Sequence, residues 1–282
     1  MVILKNIDFN YNSQPVFNNL NLEIQPGCVY GLLGKNGAGK STLLNLISGS
    51  IFPQNGTTQV FQQNITQRKK ESLQEIFLLN EDNLDYTLGA REYLKVYSEF
   101  YPRFELAKFY KIADEWQIRY QDKLANLSHG ERKKFLIAFA LATNCRLILL
   151  DEPTNGLDIP AKSTFRSLIT NAINEDTSII ISSHQVRDLE GLIDPVIILN
   201  NGKIVLNQSM TQIEDKLYFG LSQTPPEHEQ LLYSMPIPAG FAYVAARMAD
   251  AEYGAKADLE LLFNATINQT AAINQLFGAE HA

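Results

Sequence analysis

One segment constrains this 282-residue chain more than any other: Gly34-Lys35-Asn36-Gly37-Ala38-Gly39-Lys40-Ser41-Thr42. It satisfies G-x-x-x-x-G-K-[ST]. Before it, CVYGLL (28–33) reads as a short buried strand. After it, a helix is predicted from Lys40 to about Ser48, carrying Leu43, Leu44, Leu46 and Ile47 and stopped by Gly49. Strand, glycine-rich loop and helix in that order make a phosphate-binding loop. The glycines let the backbone of Asn36, Gly37, Ala38 and Gly39 wrap so that its N–H groups face phosphate oxygens. The following helix points its positive end at the same anions. Lys40 is expected at the β- and γ-phosphates, Ser41 at Mg²⁺, and Thr42 in an assisting place at the phosphates.

A second segment belongs with it. Leu147-Ile148-Leu149-Leu150-Asp151-Glu152 carries two carboxylates to the end of an apolar strand, and open α/β sheets bind ligands at the carboxyl ends of their strands. Asp151 is expected to reach Mg²⁺ through water, and Glu152 to polarise an attacking water. TSIIISSH (177–184) is a similar run. Such continuous apolar stretches suit parallel strands covered on both faces.

The rest of the chain organises around these runs. Residues 1–25 alternate as antiparallel strands, with Ile7, Phe9 and Tyr11 on one face and Leu20, Leu22 and Ile24 on another. IFLL (76–79) reads as a strand, and 53–70 as turns followed by polar chain. Residues 86–120 hold ten of the chain's 28 aromatics, from Tyr86 to Tyr120, at spacings that are mostly helical. They suit a small helical core, a partly exposed docking face, or both. VIILNNGKIVL (196–206) is a hairpin turning at Asn201-Gly202. The texture changes near 210. LYFGL and FAYVAARM suggest two strands, TPPEHE and MPIPAG loops, and 258–277 one closing helix.

Composition removes several alternatives. A balance of 45% apolar and 20% charged residues excludes a disordered chain. The longest aliphatic runs, 147–150 and 196–199, fall far short of the ~20 apolar residues of a spanning helix. MVILKNIDFNY lacks the pattern of a secretory signal, so cytoplasmic residence is expected. Net charge is −7, with nine acidic and three basic residues in 211–282. With no basic stripe, a main role in gripping nucleic acid is not expected. Cys28 and Cys145 are expected as buried thiols. His129, His184, His228 and His281 lack metal-ligand spacing, so a metal site built on them is not expected.

GKNGAGKST, LSHGERKK (127–134), LLDEPTNGLD (149–158) and the histidine of ISSHQ together resemble the ATP-binding cassette (ABC) ATPases, the nucleotide-binding subunits of ABC transporters. Order and spacing agree, with 88 residues from Lys40 to Ser128, 23 more to Asp151 and 33 more to His184. The resemblance covers about residues 1–210. It implies an α/β fold of the P-loop NTPase, ABC-ATPase kind: a mixed sheet core, an antiparallel β subdomain and a helical subdomain at about 82–140. A small C-terminal α+β accessory domain would fill 211–282. It implies ATP and Mg²⁺ as ligands, a homodimer sandwiching two ATP molecules, and a separate transmembrane permease as partner. The subunit would then sit on the inner face of the cell membrane.

Residue by residue, the resemblance gives Tyr11 the place of the aromatic that stacks on adenine, where it also reads as an ordinary strand tyrosine. Ser128 and Gly130 lie in the signature that caps the γ-phosphate bound to the opposite subunit. Ser128 also starts a helix, so its N–H and hydroxyl are placed to serve an anion. Gly156-Leu157-Asp158 resembles the loop coupling the two sites, and His184 the switch histidine at the γ-phosphate. Two departures stand out. Asn80, followed by Glu81 and Asp82, replaces a glutamine that senses Mg²⁺ and the membrane partner. LSHGE replaces LSGGQ, so His129 would be strained if it needed φ > 0, and Glu131 would bring negative charge toward phosphate unless turned away.

Leu259-Glu260-Leu261-Leu262-Phe263 resembles the "LE-x-x-F" segment of ABC-2 export ATPases, and equally suits an amphipathic helix of no special kin. The expected function is therefore ATP hydrolysis powering a permease, in the export direction. The alternatives are a soluble ABC ATPase of repair, translation or cluster assembly, and a nucleotide-gated module that scarcely turns over.

Overall fold

The structure is a computed structural model that describes residues 1–80, 87–227, 230–247 and 256–278. Strands β1 (Val2–Tyr11) and β2 (Gln14–Ile24) form an antiparallel hairpin, and β3 (Val29–Leu33) then leads through the glycine-rich loop into α1 (Lys40–Ser48). Gly49 ends α1 in the left-handed conformation, its N–H returned to the last turn. Next come β4 (Asn55–Val60), β5 (Gln63–Asn64), α2 (Lys70–Leu73) and β6 (Ile76–Leu79). Helices α3 (Ala90–Tyr97), α4 (Leu106–Glu115) and α5 (His129–Ala142) follow, then β7 (Leu147–Asp151), α6 (Ile159–Ala172), β8 (Ser178–Ser183), β9 (Val196–Asn200) and β10 (Lys203–Gln208). The last elements are α7 (Met210–Lys216), β11 (Leu217–Ser222), β12 (Leu231–Ile237), β13 (Gly240–Ala246), α8 (Leu259–Asn268) and α9 (Thr270–Leu276).

The strands make three sheets: β2-β1-β4-β5, β10-β9-β3-β8-β7-β6, and β11-β13-β12. In the six-stranded sheet all pairings are parallel except β10 on β9. Its strands are continuously apolar because both faces are covered. Leu147, Leu149, Ile180 and Ile197 join α1 and the β1–β2 hairpin in one core. Ile148, Leu150, Ile179, Ile181 and Ile198 join the helices and the C-terminal elements in the other. The β9–β10 hairpin turns where expected, with Asn201 and Gly202 at φ 47° and 72°, the signature of a type I′ turn. This is the mixed-sheet α/β fold that the sequence implied.

The aromatic segment forms α3, a 3₁₀ turn at Ser98–Phe100 and α4. Tyr93 packs on Phe135 and Phe139 of α5 and Phe109 on Phe135, and Trp116 is buried in the same core, whereas Val96, Phe100 and Leu106 are exposed. A fully buried Phe contributes about 2–3 kcal/mol, so the aromatics here are mainly core. Tyr86 lies outside the described residues, as do Glu81, Asp82, His228 and His281 and the last residue of FAYVAARM.

Four expectations are corrected. Residues 53–70 contain β4, antiparallel to β1 in the register Val2↔Val60, and β5. Met235-Pro236-Ile237 belongs to β12 rather than to a loop. The closing helix is two helices, broken at Gln269 (φ −129°, ψ 41°). Cys145 is buried, but Cys28 is only half-buried.

Candidate active site

Register places the expected site residues along one edge. Leu33 pairs with Ser183, Ser182 with Asp151, and Leu150 with Leu79. The carboxyl ends of β3, β8, β7 and β6 are therefore level. They deliver the glycine-rich loop, His184, Asp151-Glu152 and Asn80 in that lateral order. Asn80 is half-buried, one residue past the end of its strand. In the loop, Lys35, Asn36 and Gly37 are exposed while Ala38 and Lys40 are buried. Gly39 has φ 105°, and a Cβ there would meet the Phe17 ring at 2.9 Å, so the loop is packed directly on the β1–β2 hairpin. At the turn end of the same hairpin, where Phe9 pairs with Phe17 and Tyr11 with Gln14, Tyr11 is exposed and makes an edge contact with Phe9 at 4.8 Å between ring centroids.

Lys40, Glu152 and His184 meet. Lys40 Nζ donates to the carbonyls of Gly34 (2.9 Å) and Lys35 (3.3 Å) and lies 3.4 Å from Glu152 Oε1. His184 Nδ1 is 2.9 Å from the same oxygen, and its backbone N–H donates to Glu152 Oε2 at 3.4 Å. The Ser182 hydroxyl donates to Asp151 Oδ1 and accepts from the Glu152 N–H at 3.0 Å. Glu152 itself has φ 47°, in the left-handed region, and precedes Pro153. A non-glycine residue so held costs about 1–3 kcal/mol and persists only where its surroundings dictate it. Ser41 and Thr42 begin α1 beside Lys40, Ser41 exposed and Thr42 buried.

Ser128 caps α5. Its hydroxyl accepts from the Glu131 N–H at 3.3 Å, and the Glu131 carboxylate accepts from the Ser128 N–H at 2.8 Å, a reciprocal capping box. Arg119 grips the same carboxylate with two bonds, Nε at 2.9 Å and Nη2 at 3.0 Å. The guanidinium first, and the Ser128 N–H second, hold the Glu131 carboxyl down to about 2. Glu131 is thus folded back and paired. His129 is the first helical residue and is not among the positive-φ positions, so the substitution of glycine here carries no left-handed strain. Its ring lies against the Gly156-Leu157-Asp158 loop, where a Cβ on Gly156 would meet His129 Cδ2 at 2.8 Å, and a Cβ on Gly130 the Gly156 carbonyl at 3.2 Å.

A family model described as "ABC transporter" matches residues 17–155. The bacitracin transport ATP-binding protein BcrA of Bacillus licheniformis is 34% identical over 209 residues, spanning 72% of this chain and 68% of that protein. The chain belongs to the ABC transporter family. The Nod factor export ATP-binding protein I of Burkholderia orbicola is 29% identical, over 71% of this chain and 67% of that one. Among solved structures, the ATP-binding subunit of an ABC transporter superposes with a TM-score of 0.69 at 23% identity, covering 76% and 92% of the two chains, which supports the fold. The chain is an ATP-binding ATPase of this family.

Several residues of this ABC ATPase were not found from sequence. Ser182, which ties both carboxylate residues to β8, was signalled only by polar residues ending an apolar run. Arg119 had no signal. Lys133, buried in α5, donates to the carbonyls of Glu152 (2.9 Å) and Asn155 (2.8 Å). Beyond His184, Lys162 pairs with Asp188 at 2.6 Å and Arg166 donates to the carbonyls of Arg187, Asp188 and Glu190. These fix the turn that follows His184. Arg187 in turn pairs with Glu260 of α8 at 2.6 Å.

Proposed function

We propose that this chain is the energising subunit of an ABC transporter, hydrolysing Mg²⁺-ATP to drive a separate membrane permease. The observation that carries the reading is the meeting of Lys40, Glu152 and His184 at the carboxyl edge of the sheet, beside the glycine-rich loop. The N–H groups of residues 36–39 cradle the phosphates, and Lys40 leaves its carbonyl partners to neutralise the β- and γ-oxygens. The hydroxyl of Ser41, the carboxylate of Asp151 and the amide of Asn80 are hard oxygen donors that fit Mg²⁺. When bound, the ion neutralises charge between the β- and γ-phosphates. Glu152 orients and polarises the attacking water, His184 contacts the γ-phosphate, and Tyr11 stacks on adenine.

The far side of the γ-phosphate needs a donor set of its own. Ser128 and Gly130 supply it across a homodimer, with the Ser128 N–H exchanging Glu131 for phosphate oxygen. The C-terminal residues 211–282 act as an accessory unit. No helix among the described residues is long and apolar enough to cross a membrane. In this reading the permease is a separate polypeptide docked on the helical segment near Asn80, at the inner membrane face. Relatives include proteins named for export and for uptake. The Leu259–Phe263 segment supports export of the ABC-2 type.

The test is the specific rate of phosphate release as the purified chain is diluted. A rate that falls with dilution supports the sandwich. A specific rate that holds constant down to an established monomer overturns it.

A further inference from the structure

We propose that Lys133 is a positioning residue for ATP hydrolysis, its ammonium pinning the main-chain turn that carries Glu152. The inference rests on the reading of Glu152 given above. Lys133 is 2% exposed, the most buried lysine among the described residues, and a buried ammonium is costly unless its protons are taken up by acceptors. Two of its acceptors are main-chain carbonyls at both ends of one turn: Glu152 O at 2.9 Å and Asn155 O at 2.8 Å. The turn is closed by the Asn155 N–H, which donates to the same Glu152 carbonyl at 3.2 Å. Glu152 enters this turn at φ 47° and ahead of a proline, a combination the local chain disfavours. The carboxylate is therefore aimed by a backbone that needs outside support. Ser182 supplies it on the amino side, through the Glu152 N–H, and Lys133 on the carbonyl side.

The anchor has a second consequence. Lys133 lies four residues along α5 from His129, on the helix whose first turn is the signature. The same first turn touches the coupling loop through His129 and Gly130 against Gly156. Movement of the signature when the partner's phosphate is engaged is transmitted by a rigid helix to the carbonyl of this chain's own Glu152. A side chain without a donor at 133 leaves that carbonyl with the Asn155 N–H alone from this set, and relaxes φ at Glu152. The ground-state cradle around Lys40 is left intact.

The experiment compares Lys133→Met and Lys133→Gln with wild type and Glu152→Gln, measuring kcat, the KM for ATP and the thermal midpoint. Lys133→Met should lose kcat tenfold or more with KM within about twofold, because a misaimed base affects the chemical step and leaves phosphate binding alone. Lys133→Gln, which keeps one donor, should recover part of the loss. In the Glu152→Gln background, Lys133→Met should cause no further loss of rate, since it acts through Glu152. A kcat within twofold of wild type for Lys133→Met, or equal losses in the two backgrounds, overturns the proposal. So does failure of both variants to unfold cooperatively, which makes Lys133 a folding residue only. If Glu152→Gln itself keeps the wild-type rate, the site reading falls. If Glu152→Gln is inactive and the Lys133 variants are not impaired, only the positioning role falls.

Discussion

Arg119 should matter because Glu131 stands where a phosphate is expected. The pair is bidentate, at 2.9 and 3.0 Å, with the guanidinium about half exposed and the carboxylate about a quarter. Exposed pairs are weak and screened, but a bidentate guanidinium–carboxylate geometry is the strongest form they take. In a double-mutant cycle of Arg119→Ala and Glu131→Gln, urea unfolding should give a favourable coupling at low ionic strength that shrinks in high salt. Turnover carries the more telling sign. Arg119→Ala leaves a carboxylate unpaired beside the Ser128 N–H, and one unit charge ~5 Å from a phosphate in water-like surroundings costs about 1 kcal/mol. That predicts a fall of roughly fivefold in kcat/KM for ATP. Glu131→Gln removes the charge and keeps the capping geometry, so adding it to Arg119→Ala should restore most of the lost activity. A coupling indistinguishable from zero at low ionic strength, or a double variant no faster than Arg119→Ala, refutes the reasoning.

The depressed Glu131 pKa sets a pH window. Its stabilisation is complete above the ordinary glutamate pKa of 4.5 and is lost as pH falls toward about 2, so the difference in unfolding free energy between wild type and Glu131→Gln should vanish over that interval. Gly202→Ala should cost ~3 kcal/mol or more in denaturant unfolding, because φ is 72° and the new Cβ would lie 2.0 Å from the Val16 carbonyl oxygen. An unchanged midpoint would show that the hairpin can shift off β2. Phe100→Asp, at a residue 59% exposed, should leave stability within ~0.5 kcal/mol but lower recovery of the chain with membranes. Trp116→Ala, by contrast, should cost about 3–5 kcal/mol in unfolding from the same segment's core.

The parts of the fold that were legible are those whose cause is local. The glycine-rich loop, α1 with its Gly49 stop, and the Asn201-Gly202 hairpin are each set by a few adjacent residues. The runs at 147–150 and 178–183 announced strands covered on both faces. What was missed depends on distant partners. β4 reads NGTTQV, too polar for a confident strand. It becomes one because Thr58 and Val60 turn inward against β1, 50-odd residues earlier in the chain. β12 was hidden by Pro236, which is tolerated because β12 is an edge of the order β11-β13-β12 and the proline faces solvent. The break between α8 and α9 falls at Gln269 inside an uninterrupted helical pattern. Nothing in the spacing marks it, although Thr270 there bonds back to the Thr266 carbonyl.

The candidate site divides along the same line. Lys40, Asp151, Glu152 and His184 were found because each ends or begins an element with a recognisable pattern, and the sheet brings the ends together. The residues that hold them were not. Arg119 meets Glu131 twelve positions away across a turn, and Lys133 meets only main-chain oxygens in the bonds it makes to the 152–155 turn. A carbonyl looks the same under every side chain, so no pattern of residue types can announce that a lysine binds it. The departure from glycine at His129 shows the converse. Sequence alone suggested strain or charge trouble in LSHGE. The structure puts His129 in ordinary helical conformation and folds Glu131 onto Arg119, so the variant signature carries its own compensation. It follows that the residues separating a fast ABC ATPase from a slow one need not lie in the motifs. In this chain Arg119 holds the Glu131 carboxylate, Lys133 the carbonyls of the 152–155 turn, and Ser182 the Asp151 carboxylate and the Glu152 N–H, all from outside the motifs that set the chemistry.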